Sequence, residues 1–137
     1  MTEAGITYGS VYEDIGACVI HRFASIFGTG SESPNPLEGN LVKQADVASI
    51  SVMVFDVDGT QIGTTLSPSA SSTFFDTLQT AGTWGNLARG GNFRYYIPGE
   101  YFPTGNTTNR AEITVTLTDG HKLPADFILT VLERKGS

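Results

Sequence analysis

Apolar and polar residues alternate strictly along the sequence from residue 111 to residue 118. The apolar positions are Ala111, Ile113, Val115 and Leu117, and the polar positions are Glu112, Thr114, Thr116 and Thr118. Successive side chains of a strand point to opposite faces, so this pattern predicts a half-buried antiparallel strand. We expect the apolar set to be buried and Glu112, Thr114 and Thr116 to be largely exposed.

Similar patterns recur along most of the chain. Further strands are predicted over residues 16–27, 47–56, 60–63, 71–78, 93–97 and 125–133, with a short helical turn over 100–103. The pairs Asp58-Gly59 and Asp119-Gly120 are typical of tight hairpin turns. About seven short strands and no long helix favour an all-β fold, an immunoglobulin-like antiparallel β-sandwich. A small closed barrel is the alternative.

The first residues of the chain show no such pattern. Residues 1–14 therefore predict an extended N-terminal arm outside a single β-sandwich domain of residues 15–137. Tyr8, Val11 and Tyr12 would be poorly hydrated if exposed, so we expect the arm to contact neighbouring subunits or partner proteins. The loop over residues 28–40, rich in Gly, Ser and Pro, is expected to make similar contacts.

The composition agrees with a β-rich chain and excludes some partners. Hydrophobic residues make up 39% of the sequence and charged residues only 16%, below the globular average of about 25%. The net charge is −6, and no basic cluster suits a nucleic-acid backbone or an acidic membrane surface. No apolar stretch approaches a membrane-spanning length. We predict a protein made in a reducing compartment, with no nucleic-acid partner and no membrane insertion.

The cysteine and the two histidines are not expected to be catalytic or to bind a metal ion. Cys18 is the only cysteine, which leaves no intrachain disulfide and no cysteine-based zinc site. It lies in an apolar run, so we expect a buried side chain, and His21 is too near in a strand to activate it. His21 is interpreted as a structural residue and His121 as a solvated turn residue. No catalytic, cofactor-binding or metal-binding residue is predicted.

One motif points to a different function. Residues 54–60 (VFDVDGT) resemble the first motif of the haloacid dehalogenase superfamily. That resemblance implies a Mg²⁺-dependent phosphatase in which Asp56 is the nucleophile and Asp58 the acid and base. The alternative is that Asp56 and Asp58 only close a turn between two strands, since no helix follows Thr60. A calcium ion bound at the turn is a further alternative that would need oxygen ligands from another loop.

Aromatic residues gather between residues 84 and 102. Trp84 and Tyr96 are candidate contact residues, because Trp and Tyr anchor interfaces, although aromatic side chains also dominate cores. Tyr96 has the opposite parity from Phe93, Tyr95 and Ile97 and is expected to be exposed. The same aromatic residues would suit a carbohydrate-binding module.

The chain from about residue 47 onward resembles immunoglobulin-like domains of tailed-phage virion proteins. The residues that carry the resemblance are 52–59 (VMVFDVDG), 74–78 (FFDTL), 92–98 (NFRYYIP) and 113–120 (ITVTLTDG). It implies a non-enzymatic structural protein of a head, neck, tail or baseplate, located in the virion and binding other virion proteins or copies of itself. It assigns no functional residues.

Overall fold

The computed structural model describes residues 6–30, 39–87 and 90–134, and ten strands lie in these ranges. The strands are β1 (Ile6–Tyr12), β2 (Gly16–His21), β3 (Ala24–Ser25), β4 (Asn40–Leu41), β5 (Val47–Phe55), β6 (Gln61–Leu66), β7 (Phe74–Gln79), β8 (Gly91–Pro98), β9 (Thr107–Leu117) and β10 (Lys122–Leu132). The only α-helix in the described ranges is α1 (Ala70–Thr73), and single 3₁₀ turns span Gln44–Asp46, Gly82–Asn86 and Gly99–Tyr101. The prediction of an all-β fold is confirmed.

Eight of the strands form one curled sheet in the order β6-β5-β9-β10-β1-β2-β8-β7, and β3 pairs with β4 apart from it. Neighbouring strands of the sheet are antiparallel except β1 and β10, which run parallel over seven residue pairs. The expectation of a wholly antiparallel arrangement is therefore wrong at this one pairing. A parallel neighbour requires a long connection, and here the whole chain between β1 and β10 supplies it.

The central strand β9 follows the sequence pattern. Its apolar positions, Ala111, Ile113, Val115 and Leu117, are buried as predicted. Glu112, Thr114 and Thr116 are half-buried, so the expectation that they are largely exposed is wrong. The reason is that β9 has a neighbour on each side. Glu112, for example, lies between Met53 of β5 and Asp126 of β10, whose side chains share its face.

The core lies on the inner face of the curled sheet. Ile50, Val52 and Val54 of β5 and Phe127, Leu129 and Val131 of β10 are buried there, as their spacing predicts. Phe93 of β8 packs against Phe23 and Phe74 with ring centroids 5.2 Å apart in both pairs. Both halves of the sheet, β6 to β1 and β2 to β7, therefore contribute to one apolar cluster.

A buried amide that the sequence analysis missed holds part of the chain to this core. Asn92 is fully buried, and its Oδ1 accepts a hydrogen bond from the main-chain N–H of Phe23 at 2.8 Å. Its Nδ2 donates to the carbonyl oxygens of Phe23 at 3.0 Å and Val42 at 2.8 Å. A buried polar group is stable only when it is hydrogen-bonded, and these three bonds fix the chain after β2 and after β4 against β8.

Two of the predicted strands are not continuous strands in the structure. The strand expected over residues 71–78 begins with the helical turn α1 and becomes extended only at Phe74. In α1 the Thr73 hydroxyl donates to the Ser69 carbonyl at 2.9 Å, a local bond that competes with the strand ladder. The strand expected over residues 16–27 is divided into β2 and β3.

The N-terminal arm is not confirmed, because residues 6–12 are strand β1 of the main sheet. Val11 is buried against the core, and a side chain at Gly9 would lie 3.3 Å from Leu129. Thr7 and Gly9 share the parity of Val11 but carry no large apolar side chain, so the sequence shows no alternation here. Residues 1–5 of the expected arm and residues 31–38 of the expected contact loop lie outside the described residues.

This packing leads to a stability prediction for β1. Val11→Ala should lower the free energy of unfolding by about 2 kcal/mol, because it removes buried methyl groups and leaves a cavity. Ser10→Ala, a change on the exposed outer face of the same strand, should alter it by less than about 0.5 kcal/mol. Urea unfolding followed by circular dichroism measures both. Equal, negligible effects would show that residues 6–12 do not belong to the domain.

Candidate functional site

The chain passes from β1 to β2 through a sharp turn, and this turn organises the surface around it. Among the described residues, β1 and β2 pair only at Tyr12 and Gly16. Asp14 has a φ of 61°, and its N–H donates to the Phe102 carbonyl at 3.0 Å. Gly16 has a φ of 101°, and a Cβ there would lie 2.5 Å from the Tyr96 hydroxyl, so this position requires glycine.

The carboxylate of Glu13 fixes the turn to the rest of the domain. One of its oxygens accepts a hydrogen bond from the Gly105 N–H at 3.0 Å, and the other accepts one from the Arg134 N–H at 3.0 Å. The Glu13 N–H also donates to the Leu132 carbonyl at 2.9 Å. The turn is therefore held to the end of β10 and to the loop before β9.

Large apolar side chains are exposed at this turn and on the outward face of β1, which leads into it. We call Tyr8, Tyr12, Ile15, Tyr96 and Leu132 the turn patch, and their exposed fractions are 74%, 54%, 48%, 55% and 37%. Tyr12 and Leu132 are partners in the β1–β10 register, and the Tyr96 hydroxyl donates to the Ile15 carbonyl. An exposed group of large apolar residues is typical of an interaction site, whereas single exposed apolar residues are ordinary.

A groove opens beside the turn patch, where β1 and β2 diverge. It has a volume of about 580 Å³, and residues 7–12 of β1 and 15–20 of the turn and β2 line its two sides. Phe127 and Leu129 reach it from β10, and Thr83, Asn86 and Leu87 reach it from the 3₁₀ turn before β8. Its volume lies in the range of about 300–1,000 Å³ that ligand sites occupy. None of its lining residues is charged.

The structure brings together four of the five residues proposed for interaction. Tyr8, Tyr12 and Tyr96 belong to the turn patch, and the expected exposure of Tyr96 is confirmed. Val11 lines the groove but is only 7% exposed. Trp84 is buried and contacts the Phe75 ring edge-on at 5.5 Å, so it is not part of an exposed surface. Its burial is explained by the 3₁₀ turn that carries it, which folds back against β7 and β8.

The sequence analysis missed Ile15 and Leu132 and misplaced Cys18. Ile15 lies in a turn, where no periodicity indicates exposure. Leu132 has the opposite parity from Leu129 and Val131, and this spacing could have indicated its exposure. Cys18 was expected to be buried, but it lies on the outer face of β2 opposite Tyr96 and is exposed. The reason is strand parity: Ala17 and Val19 face the core, so Cys18 between them faces outward.

The Asp56 and Asp58 motif closes a hairpin. The Asp56 Oδ1 accepts hydrogen bonds from the N–H groups of Asp58 and Thr60, both at 2.9 Å. Gly59 has a φ of 85°, and antiparallel β6 follows where a doubly wound fold would place a helix. Asp56 and Asp58 therefore lie in a turn between two antiparallel strands, as the turn interpretation predicts.

A second cavity of about 430 Å³ lies on the outer face near Asp56 and Arg110. The Arg110 guanidinium there contacts Glu112 at 2.9 Å and Asp126 at 2.6 Å, so its charge is already compensated. In the described ranges, no three His, Cys, Asp or Glu side chains lie close enough together to hold a metal ion. No helix in those ranges has the length and apolarity to cross a membrane.

The two histidines have different environments. His21 is half-buried and contacts the rings of Phe23 and Phe127 with centroids 4.6 Å and 6.2 Å away, and burial lowers its pKa from 6.5 to about 4. This agrees with a structural role. His121 is exposed in the turn before β10, as expected, and stacks on Phe27 at 3.9 Å. Its main-chain N–H donates to Asp119, which lowers the pKa of that carboxyl.

Comparison of the chain with protein-family models, curated proteins and solved structures gave no match.

The hydrogen bonds of Asp56 give a prediction that separates a turn from an active site. Asp56→Ala should lower the free energy of unfolding by about 1–2 kcal/mol, because two main-chain donors lose their acceptor. Asp56→Asn should have a smaller effect, since an amide oxygen still accepts. Thermal unfolding measures both. The wild type could instead show Mg²⁺-dependent phosphatase turnover that is lost in either variant or in Asp58→Asn. That result would support the phosphatase.

The lowered pKa of His21 gives a prediction about pH. Since the folded state binds this proton less tightly than the unfolded state does, the contribution to stability is complete above about pH 6.5. It falls as the pH drops towards the folded-state pKa of about 4, by on the order of 3 kcal/mol in total. His21→Phe should remove this part of the pH dependence, and His121→Gln should keep it. Urea unfolding between pH 4 and pH 7 measures it, and an unchanged profile in His21→Phe contradicts it.

Proposed function

We propose that the protein is a non-enzymatic structural or interaction protein of a virion or similar large assembly. In this proposal the chain is an immunoglobulin-like β-sandwich that binds neighbouring subunits through the turn patch. The single observation that carries the proposal is the exposure of five large apolar side chains, four at one hydrogen-bonded turn and Tyr8 on the outward face of the strand that enters it.

The division of the sheet supports a sandwich. Within the described ranges, β1 and β2 join the two halves of the sheet through one residue pair, and the inner faces of both halves share one core. Five strands (β6, β5, β9, β10 and β1) would form one layer and three (β2, β8 and β7) the other. Two layers of short strands around one core are what an immunoglobulin-like domain contains.

The chemistry of the turn patch supports protein binding. Three of its five members are tyrosines, which provide large contact areas at a low cost in side-chain entropy. The turn beneath them is held by the Glu13 carboxylate and the Asp14 N–H, so the patch is preorganised. A site of this kind loses little conformational entropy when a partner binds.

The described part of the chain gives less support to catalysis. Asp56 is occupied by its own turn, and Arg110 is occupied by two carboxylates. The exposed Cys18 has Tyr96 opposite it in the register and faces away from the core side where Val19 lies. A reactive thiol requires an activating charge or base beside it.

Incorporation into particles tests the proposal. Particles produced without this chain would be supplied with wild-type protein or with the Tyr8→Ser, Tyr12→Ser, Tyr96→Ser triple variant, and quantitative mass spectrometry would measure uptake. The wild type should be incorporated in a fixed ratio, and the triple variant should lose about tenfold or more in uptake. Each buried interface tyrosine contributes on the order of 1–2 kcal/mol, and tenfold corresponds to about 1.4 kcal/mol.

A matched control uses exposed apolar residues elsewhere. Ile26 and Val57 are 69% and 72% exposed and lie outside the turn patch. Ile26→Ser with Val57→Ser should be incorporated like the wild type. Absence of the chain from purified particles, or equal uptake of both variants, contradicts the proposal.

A further inference from the structure

The main-chain edges of β1 and β2 that face each other across the groove have few partners. β1 pairs over seven residues with β10 on its far side, and β2 pairs over six with β8 on its far side. Between β1 and β2, the described residues contain only the Tyr12–Gly16 pair. The sheet therefore divides at this point, and each side of the groove is a strand edge.

The hydrogen bonds at the turn show which main-chain groups of β1 face the groove. The Glu13 N–H points to β10, where it donates to Leu132, whereas the Tyr12 carbonyl points the other way and accepts from Ile15. The N–H and C=O groups of successive strand residues point to alternate sides. Those of Ser10 and Tyr8 therefore face the groove together with those of Tyr12.

The shape and charge of the groove define what fits between the edges. Six consecutive residues of β1 line it, and an extended segment of that length spans about 20 Å. The lining carries no charge, so the central part of an occupant must be neutral. Asp14 does not line the groove, but it is exposed in the turn that follows the closed end, so its negative charge favours a basic residue at that end of the occupant.

From these observations we propose that the groove binds an extended segment of a partner protein as an added β-strand between β1 and β2. The segment has alternating neutral side chains, every second one apolar and turned towards Val11, Val19 and Leu129, and a basic residue at the end near Asp14. It runs parallel to one flanking strand and antiparallel to the other. Main-chain hydrogen bonds provide affinity, and the apolar floor selects the side chains. This inference deepens the proposed function, on which it rests, by naming the chemistry of the partner.

Amide hydrogen exchange tests the proposal directly. In the free protein the amides of Tyr8 and Ser10 should exchange rapidly, whereas those of Gly9 and Val11, which face β10, should be protected. The probe is the capped peptide acetyl-Lys-Thr-Val-Thr-Val-Thr-Val-amide. Saturating peptide should slow exchange at Tyr8 and Ser10 by about tenfold or more and leave Gly9 and Val11 unchanged.

A pair of variants separates main-chain recognition from side-chain contact. Ser10→Pro removes the N–H that faces the groove, at a position where β10 does not use it, and should weaken peptide binding by about tenfold or more. Ser10→Ala keeps that N–H and should bind the peptide like the wild type. A peptide with proline in place of its central threonine should also bind at least about tenfold more weakly than the parent peptide.

Four results would overturn the inference. The first is protection of Tyr8 and Ser10 in the free protein, which would mean that the edge is already paired. The second is equal binding of the proline-containing and parent peptides. The third is protection that rises with protein concentration and not with peptide, which would identify a second copy as the occupant. Particles that incorporate Ser10→Pro but exclude the triple tyrosine variant would overturn the inference and leave the proposed function standing.

Discussion

The turn at residues 13–15 is the constraint on which the rest of the surface depends. On one side β1 is fixed by its parallel pairing with β10, and on the other β2 is fixed by β8. The chain crosses between them in three residues, which requires positive φ values at Asp14 and Gly16. Hydrogen bonds of Glu13 and Asp14 to the loop before β9 and to the end of β10 hold that conformation. Because the crossing is short and fixed, the two strands meet at one point and then diverge.

This divergence produces both surface features. At the closed end, the outward side chains of β1, β8 and β10 crowd around the turn, and Tyr12, Tyr96 and Leu132 are left exposed. At the open end, the two strands are too far apart to pair, so a groove with strand edges remains. Exposed aromatic residues and unpaired edges are both unfavourable in an isolated protein. Their occurrence side by side supports the proposal of a partner that covers them together.

The core stabilises the domain despite these two unfavourable surface features. Apolar residues from both halves of the sheet form one cluster, and the hydrogen bonds of Asn92 fix the chain after β2 and after β4 to β8. β2 and β8 are therefore stable without main-chain bonds from β1 along most of their length. β1 in turn gains its stability from β10 and from the burial of Val11.

The sequence by itself determined the all-β fold, the inward faces of β5, β8, β9 and β10, and the Asp-Gly turns. The inward faces could be predicted because apolar residues recur at every second position of a strand that is buried on one face. The turns could be predicted because Asp-Gly is typical of tight hairpins. It also identified Tyr8, Tyr12 and Tyr96 as contact candidates. Only the tertiary structure decided that residues 6–12 are a strand, that Cys18 is exposed and that Trp84 is buried. The pairing of β1 with β10 joins residues more than a hundred positions apart. The groove beside β1 exists because β1 and β2 pair at one position and then diverge. Local periodicity reports which face of a strand is buried, and it contains no information about which strand lies next to it.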